Sequence, residues 1–144
     1  MSKPAAGAST GQPSQAFSGL RIIDTTHVLA GPFASYQLGV LGAEVIKVEA
    51  PDDPDQARAQ GSDRAMSDIG MGTAFMAQAS NKKALALDLK TEPGREALKR
   101  LIATADVFVE NYRPGAFEEL GLGYDEMSKL NPRLIYCSIS AFGS

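Results

Sequence analysis

Short apolar runs alternate along this chain with segments in which apolar residues recur every three or four positions. The runs predict five β-strands, at residues 20–24, 45–48, 84–89, 106–110 and 133–139. Between the first two, Pro32 suits the first turn of a helix, and Ala34, Leu38 and Leu41 lie on one helical face. The segment between these two strands is long enough to connect parallel strands and too long for a hairpin turn.

Further helices are predicted between the later strands. Residues 73–79 predict a short helix, and residues 117–130 predict one or two short helices broken at glycines. Thr91 is a good N-cap for a helix whose apolar stripe includes Leu98 and Ile102. Strands that alternate with helices predict an α/β fold, in which a Rossmann-like, mainly parallel sheet is covered by helices on both faces.

Ligands of such sheets bind beyond the carboxyl ends of the strands. The long segment 50–72 follows the second strand with little periodicity, and we expect it to be irregular and functional or mobile. Basic residues near this edge would hold an anionic ligand, and the candidates are Arg58, Lys82, Lys83, Lys90 and Arg113. Residues 111–115 join an amide, an aromatic ring and a guanidinium, which is typical either of a purine site or of a surface turn.

Other reactive side chains have structural interpretations beside the functional ones. His27, the single histidine, is either a general base or, more economically, a turn residue bonded to backbone. Asp24, Asp88 and Asp106 flank strands, where carboxylates usually bond to turns. Cys137 lies in the fifth predicted strand, which we expect to be buried, and is interpreted as a structural thiol.

Composition narrows the class of protein. The 144-residue chain has a net charge of −3, which argues against a nucleic-acid surface. The sequence has no apolar run of about 18 residues, so no membrane association is predicted. Residues 1–17 are rich in Ser, Ala, Gly, Pro and Gln and predict a disordered leader before a domain at 18–144. One cysteine without a pairing partner fits a cytoplasmic location.

Six blocks of sequence occur in order, at residues 20–24 with 30–32, 41–49, 81–83 with 87–90, 105–107 with 110–115, 120–124 and 131–136. Together they resemble the family III CoA-transferases, the group that includes formyl-CoA:oxalate CoA-transferase, carnitine CoA-transferase and α-methylacyl-CoA racemase. The resemblance implies that residues 18–144 are the N-terminal part of a CoA-binding domain, incomplete relative to the full family fold.

The resemblance also implies site residues. Leu87 and Lys90 match positions near the adenine and phosphates of CoA, and Asn111 and Tyr112 match residues that contact the nucleotide and pantetheine. With the basic edge residue Arg113, the expected CoA site comprises Val28, Leu29, Ala30, Arg58, Leu87, Lys90, Asn111, Tyr112 and Arg113. Two positions depart from the family pattern. Ala50 stands where many members have Arg, and Ala141 replaces the usual Gly.

The implied chemistry is transfer of CoA from an acyl-CoA to a carboxylic acid through an aspartyl-CoA thioester. The family's aspartate lies downstream of a block matched by Phe142 and Gly143, so no catalytic residue is assigned to this chain. CoA or acyl-CoA is expected as substrate, with no tightly bound cofactor. The alternatives are a racemase of 2-methylacyl-CoA, or a non-catalytic CoA-binding module that forms part of a split enzyme. The expected protein partner is a second copy of the chain, as in full-length members, or a polypeptide that carries the rest of the fold.

Overall fold

The structure is a computed structural model that describes residues 15–143. Its five strands form one parallel sheet in the order β3-β2-β1-β4-β5. The strands are β1 Arg21–Asp24, β2 Glu44–Glu49, β3 Lys82–Ala86, β4 Val107–Glu110 and β5 Ile135–Ser138. The prediction of an α/β fold with a parallel sheet is confirmed.

The third strand lies earlier in the chain than its apolar run predicted. Lys82 pairs with Val45 at the start of β2, directly after the left-handed residue Asn81, which has φ of 63°. Beyond Ala86 the chain turns, because Asp88 accepts the N–H of Lys90 at 2.9 Å. Local turn chemistry therefore ends this strand before the apolar run does.

Six α-helices cover the described sheet, and they are α1 Ala30–Val40, α2 Arg64–Asp68, α3 Thr73–Ala79, α4 Glu92–Ile102, α5 Ala116–Glu119 and α6 Tyr124–Leu130. The predicted N-cap of α4 is confirmed, since Thr91 Oγ1 accepts the N–H of Gly94 at 3.2 Å. The predicted break between α5 and α6 is also confirmed, and Leu122 fills it as a fully buried residue.

The segment 50–72 is less irregular than predicted. It contains a 3-10 helix, Gln56–Ala59, as well as α2. Asp55 and Asp63 cap these two elements, each by accepting a backbone N–H with its side chain. The prediction failed because short capped turns leave no hydrophobic period in the sequence.

Helix α1 packs on the sheet through a face that differs from the predicted one. Gly31, Ser35 and Gly39 are buried, whereas Ala34 and Leu41 of the predicted apolar face are exposed. The small residues let the helix approach the sheet closely. Of the predicted apolar face, only Leu38 is partly buried.

Gly31 shows how close this approach is. A Cβ atom at Gly31 would lie 2.4 Å from the Cβ of Thr26, which follows β1. A side chain at position 31 would force the helix away from the sheet. This contact therefore places the first turn of α1 beside the carboxyl end of β1.

Two clusters of buried residues lie on the two faces of the sheet. The larger joins Ile23 and Phe108 of the sheet to Leu98 and Ile102 of α4. The smaller lies around Ile22, Ala43, Val45 and Val109, on the side of α1. Adjacent residues 22 and 23 thus serve opposite cores, as expected for a strand covered on both sides.

The fifth strand does not have the burial that was predicted. Ile135 is 63% exposed, and Tyr136 and Cys137 are only half-buried. The reason is that β5 forms the edge of the described sheet and pairs only with β4.

Of the predicted leader at 1–17, residues 1–14 lie outside the described residues. Phe17 packs against the smaller core cluster, and its N–H donates to the carbonyl of Leu41 at 3.0 Å. None of the helices between residues 15 and 143 combines the length and the apolar character that crossing a membrane requires.

Candidate functional site

A cleft of about 480 Å³ opens at the carboxyl end of the sheet. Its walls come from the segments that follow β1, β2, β3 and β4, together with α5. The lining residues are His27, Val28, Val48, Glu49, Ala50, Asp53, Pro54, Gln56, Leu87, Asp88, Leu89, Lys90, Asn111, Tyr112, Ala116, Phe117 and Leu120. This is the edge at which the predicted parallel sheet would bind a ligand.

The structure brings five of the nine predicted site residues together in this cleft. They are Val28, Leu87, Lys90, Asn111 and Tyr112. Leu29 and Ala30 are exposed at the start of α1 and do not line it. Whether each of these nine residues contacts a ligand remains a prediction.

Arg58 and Arg113 also lie outside the cleft lining. Arg58 forms two hydrogen bonds with Glu49, at 2.7 and 2.8 Å, and its guanidinium lies 3.8 Å from the ring centroid of Phe75. The hydrogen bonds to Glu49 raise the pKa of Arg58. Arg113 pairs with Glu119 through both terminal nitrogens. Both guanidinium groups are thus already occupied by a carboxylate.

His27 and the segment after β4 form one connected unit. The side chain of Asn111 holds the backbone of His27 at two points, since its Oδ1 accepts the N–H and its Nδ2 donates to the carbonyl, both at 2.9 Å. The Nε2 of His27 lies 2.9 Å from the hydroxyl of Tyr112. The ring therefore bonds to a side chain, whereas the sequence predicted a bond to backbone.

The environment keeps this histidine neutral. Burial lowers the pKa of His27, and the nearby charge of Lys47 lowers it further. Burial also raises the pKa of the Tyr112 hydroxyl. The pair consequently presents an uncharged hydrogen-bonded surface to the cleft at neutral pH.

Edge-to-face aromatic contacts connect this pair to the core. The ring centroids of His27 and Tyr112 are 5.3 Å apart, those of Tyr112 and Phe117 are 5.1 Å apart, and those of Phe117 and Phe108 are 5.3 Å apart. These distances are favourable for T-shaped pairs. The aromatic wall of the cleft is therefore held by the main core.

Sequence reasoning missed a buried ion pair beneath the cleft. Lys47 and Asp55 lie 3.0 Å apart, with side chains that are 2% and 1% exposed. The available signal was a lysine inside the apolar strand 45–48, because a buried lysine requires a partner.

Lys82 and Lys83 were both placed at the ligand edge from sequence, and neither lines the cleft. The Nζ of Lys82 is buried and donates to Asp24, Ser35 and the carbonyl of Pro32, each at 2.8 Å. Lys83 is exposed and pairs with Glu44 at the start of β2.

The predicted bonding to following turns is confirmed for Asp24 and Asp88, whereas Asp106 bonds across the sheet. Asp24 accepts the N–H of Thr26, and Asp88 accepts that of Lys90, both at 2.9 Å. Asp106 accepts the N–H of Arg21 at 2.9 Å and so links β1 to the start of β4.

Acid is expected to destabilise the fold through Asp24, Glu49 and Asp55. Burial disfavours the charged forms. Backbone N–H groups that donate to Glu49 and Asp55, together with the bonds and charges of Lys82, Lys47 and Arg58, outweigh it, so the pKa of each carboxyl lies below its usual value. A depressed pKa in the folded state contributes stability above the unfolded pKa of about 4, and that stability is lost as pH falls through the folded pKa. Urea denaturation at a series of pH values should show stability that begins to fall below about pH 6.5, because the pKa of the buried His27 is lowered in the folded state, and that falls more steeply below about pH 4. A midpoint that stays constant down to about pH 2.5 would contradict this prediction.

The family model described as CoA-transferase family III matches residues 17–144. The chain therefore belongs to CoA-transferase family III. It is 48% identical over 125 residues to succinyl-CoA:glutarate CoA-transferase of Mus musculus, covering 87% of this chain and 28% of that protein. It is 38% identical over 142 residues to the alpha subunit of succinyl-CoA–L-malate CoA-transferase of Chloroflexus aurantiacus, covering 99% of this chain and 33% of that protein.

Solved structures also match this chain in fold and in sequence. The crystal structure of the hypothetical protein Rv3272 from Mycobacterium tuberculosis matches with a TM-score of 0.82 and 42% sequence identity, over 92% of this chain and 35% of that one. The chain thus spans about a third of the length of its relatives.

Proposed function

We propose that this chain supplies the CoA-binding part of an acyl-CoA:carboxylate CoA-transferase. The observation that supports this most directly is the composition of the cleft, in which Lys90 stands beside an apolar and aromatic wall. Among the described residues, the Nζ of Lys90 makes no ion pair, unlike the guanidinium groups of Arg58 and Arg113. CoA has phosphate groups suited to such a cation, together with a purine and a pantetheine arm suited to the apolar wall.

The proposed reaction begins with an aspartate carboxylate that attacks the thioester carbonyl of an acyl-CoA and releases the CoA thiolate. The thiolate then attacks the mixed anhydride, which gives an aspartyl-CoA thioester and frees the donor acid. The acceptor carboxylate receives CoA by the same two steps in reverse order. The family resemblance implies an aspartate beyond residue 144, so this chain contributes binding and orientation of CoA rather than the nucleophile.

The proposed partners are a CoA thioester, a small carboxylic acid and a second polypeptide, which is either another copy of the protein or a chain that carries further parts of the fold. The relatives act on succinyl-CoA, and one of them is an alpha subunit. The exposed apolar residues Phe33 and Val40 on α1 and Leu29 at its N-cap support a covering partner. A cytoplasmic location is part of the proposal and rests on the unpaired cysteine.

The proposed function predicts that the chain binds CoA and that Lys90→Ala weakens binding. Loss of one charge-assisted bond to a phosphate should raise the Kd about tenfold. Isothermal titration with CoA measures the effect. Lys129→Ala is the matched control, because Lys129 is an exposed lysine on α6 that pairs with Glu126 away from the cleft.

Equal affinities for the Lys90→Ala and control proteins would remove Lys90 from the site, and absence of CoA binding by the unmodified chain would refute the proposed function. Mass spectrometry after incubation with an acyl-CoA tests the second part of the proposal. An acyl or CoA group attached to any aspartate of this chain would show that the nucleophile lies within it.

A further inference from the structure

Val28 lines the cleft in an unusual backbone conformation. Its φ is +73°, in the left-handed region. A β-branched residue is strained there, because its side chain crowds the adjacent backbone. Such conformations persist only where the surrounding structure enforces them, and they cluster at ligand sites.

The group that holds Val28 is the carboxylate of Asp55, 27 positions further along the chain. Asp55 Oδ1 accepts the N–H of Val28 at 3.0 Å and also the N–H of Ala57 at 3.0 Å. The N–H of Asp55 in turn donates to Glu49 Oε2 at 2.9 Å. The Asp55 side chain thus joins the loop after β1 to the 3-10 helix, and its backbone N–H joins both to the end of β2.

Lys47 fixes Asp55 from the other side. Its Nζ lies 3.0 Å from Asp55 Oδ2 and donates to the carbonyl of Thr26 at 2.6 Å. Lys47 therefore restrains the loop after β1 at Thr26, two residues before Val28. Its ion pair with Asp55 also restrains the carboxylate that accepts the N–H of Val28. A buried ion pair is weak evidence that it stabilises the fold. Selecting one particular conformation of the chain is a recognised role of such pairs.

We propose that Asp55, held by Lys47, is a positioning residue that keeps Val28 in the left-handed conformation and so shapes the wall of the CoA cleft. Asp55 does not line the cleft and acts through the backbone of Val28. The inference rests on the proposed function only in naming CoA as the ligand.

Hydrogen exchange followed by NMR tests the positioning without any ligand. In Asp55→Ala the amide of Val28 should exchange at least about tenfold faster relative to the amide of Ile23 in the same protein, because its acceptor is gone. The control is Lys83→Met, which breaks the exposed ion pair with Glu44 and leaves Asp55 and its contacts in place. In the control, the ratio of the two exchange rates should stay unchanged.

Titration with CoA tests the consequence for the cleft. Asp55→Ala should raise the Kd about tenfold or more, since an enforced left-handed residue relaxes when its restraint is lost. Adding Val28→Gly to that variant should recover part of the affinity, because glycine adopts positive φ without strain. The Kd of the single variant Val28→Gly is also measured, and it shows how much affinity is lost with the contacts of the valine side chain alone.

The outcomes separate this inference from the proposed function. If CoA does not bind to the unmodified chain, the proposed function fails, and the exchange of the Val28 amide still decides the positioning role. If CoA binds and Asp55→Ala changes neither the exchange ratio nor the Kd, the inference is overturned. A loss of affinity that Val28→Gly does not reduce would assign Asp55 a general structural role and would also overturn it. Should Asp55→Ala fail to fold because Lys47 is left uncompensated, Lys47→Met/Asp55→Ala removes both charges and is tested in the same way.

Discussion

Lys82→Met is expected to lower the free energy of unfolding by about 3–5 kcal/mol, the range for removing one partner of a buried ion pair. The Nζ of Lys82 donates three hydrogen bonds in a site that is 2% exposed, and one of them goes to the fully buried carboxylate of Asp24. Methionine has a similar length and no charge, so it fills the space and leaves Asp24 uncompensated. Urea denaturation monitored by circular dichroism measures the change.

Lys83→Met is the matched control for this experiment. Lys83 is the next residue of β3, but its side chain is 70% exposed and pairs with Glu44 at the surface. Its loss should cost at most about 1 kcal/mol. A second variant, Lys82→Met/Asp24→Asn, should recover part of the stability, because it removes the uncompensated charge. Equal effects of Lys82→Met and Lys83→Met would show that burial does not set the strength of these pairs.

Phe117→Ala is expected to lower the free energy of unfolding by about 3–5 kcal/mol and also to weaken CoA binding. Phe117 is 2% exposed, packs edge-to-face between Phe108 and Tyr112, and lines the cleft. Removing its ring leaves a cavity in the larger core and takes away the support of Tyr112. Thermal and urea denaturation measure the stability, and titration with CoA at a temperature where the variant is folded measures the affinity.

Phe33→Ala makes the same chemical change on the outer face of α1, where Phe33 is 51% exposed. We expect this control to change stability by less than about 1 kcal/mol and to leave CoA affinity unchanged. If Phe117→Ala reduced stability but not affinity, the aromatic chain from core to cleft would have no part in binding.

Much of the architecture was determined by the sequence alone. Alternating strand and helix patterns define a parallel sheet, and such a sheet has one edge at which ligands bind. Thr91 marked the start of α4, and the glycines at 121 and 123 marked the break between α5 and α6. These features are local, because a cap, a turn or an apolar period is encoded by residues that are neighbours in the chain.

The details of the site were decided by tertiary structure. Helix α1 packs its small residues against the sheet, although its apolar pattern predicted another face, because the close approach of Thr26 leaves no room for a side chain at position 31. Arg58 and Arg113 looked like free cations in the sequence, and Glu49 and Glu119 occupy them in the fold.

The contrast between local sequence signals and tertiary contacts is clearest for three residues, Lys47, Asp55 and Val28. Only Lys47 gave a signal in its own segment. In the fold, Val28 lines the cleft, and Asp55, which pairs with Lys47, accepts the N–H of Val28. The sequence determined that a ligand edge would exist and which segments would reach it. Which charges meet there, and which backbone they restrain, depended on contacts between residues far apart in the chain, and those contacts exist only once the sheet has assembled.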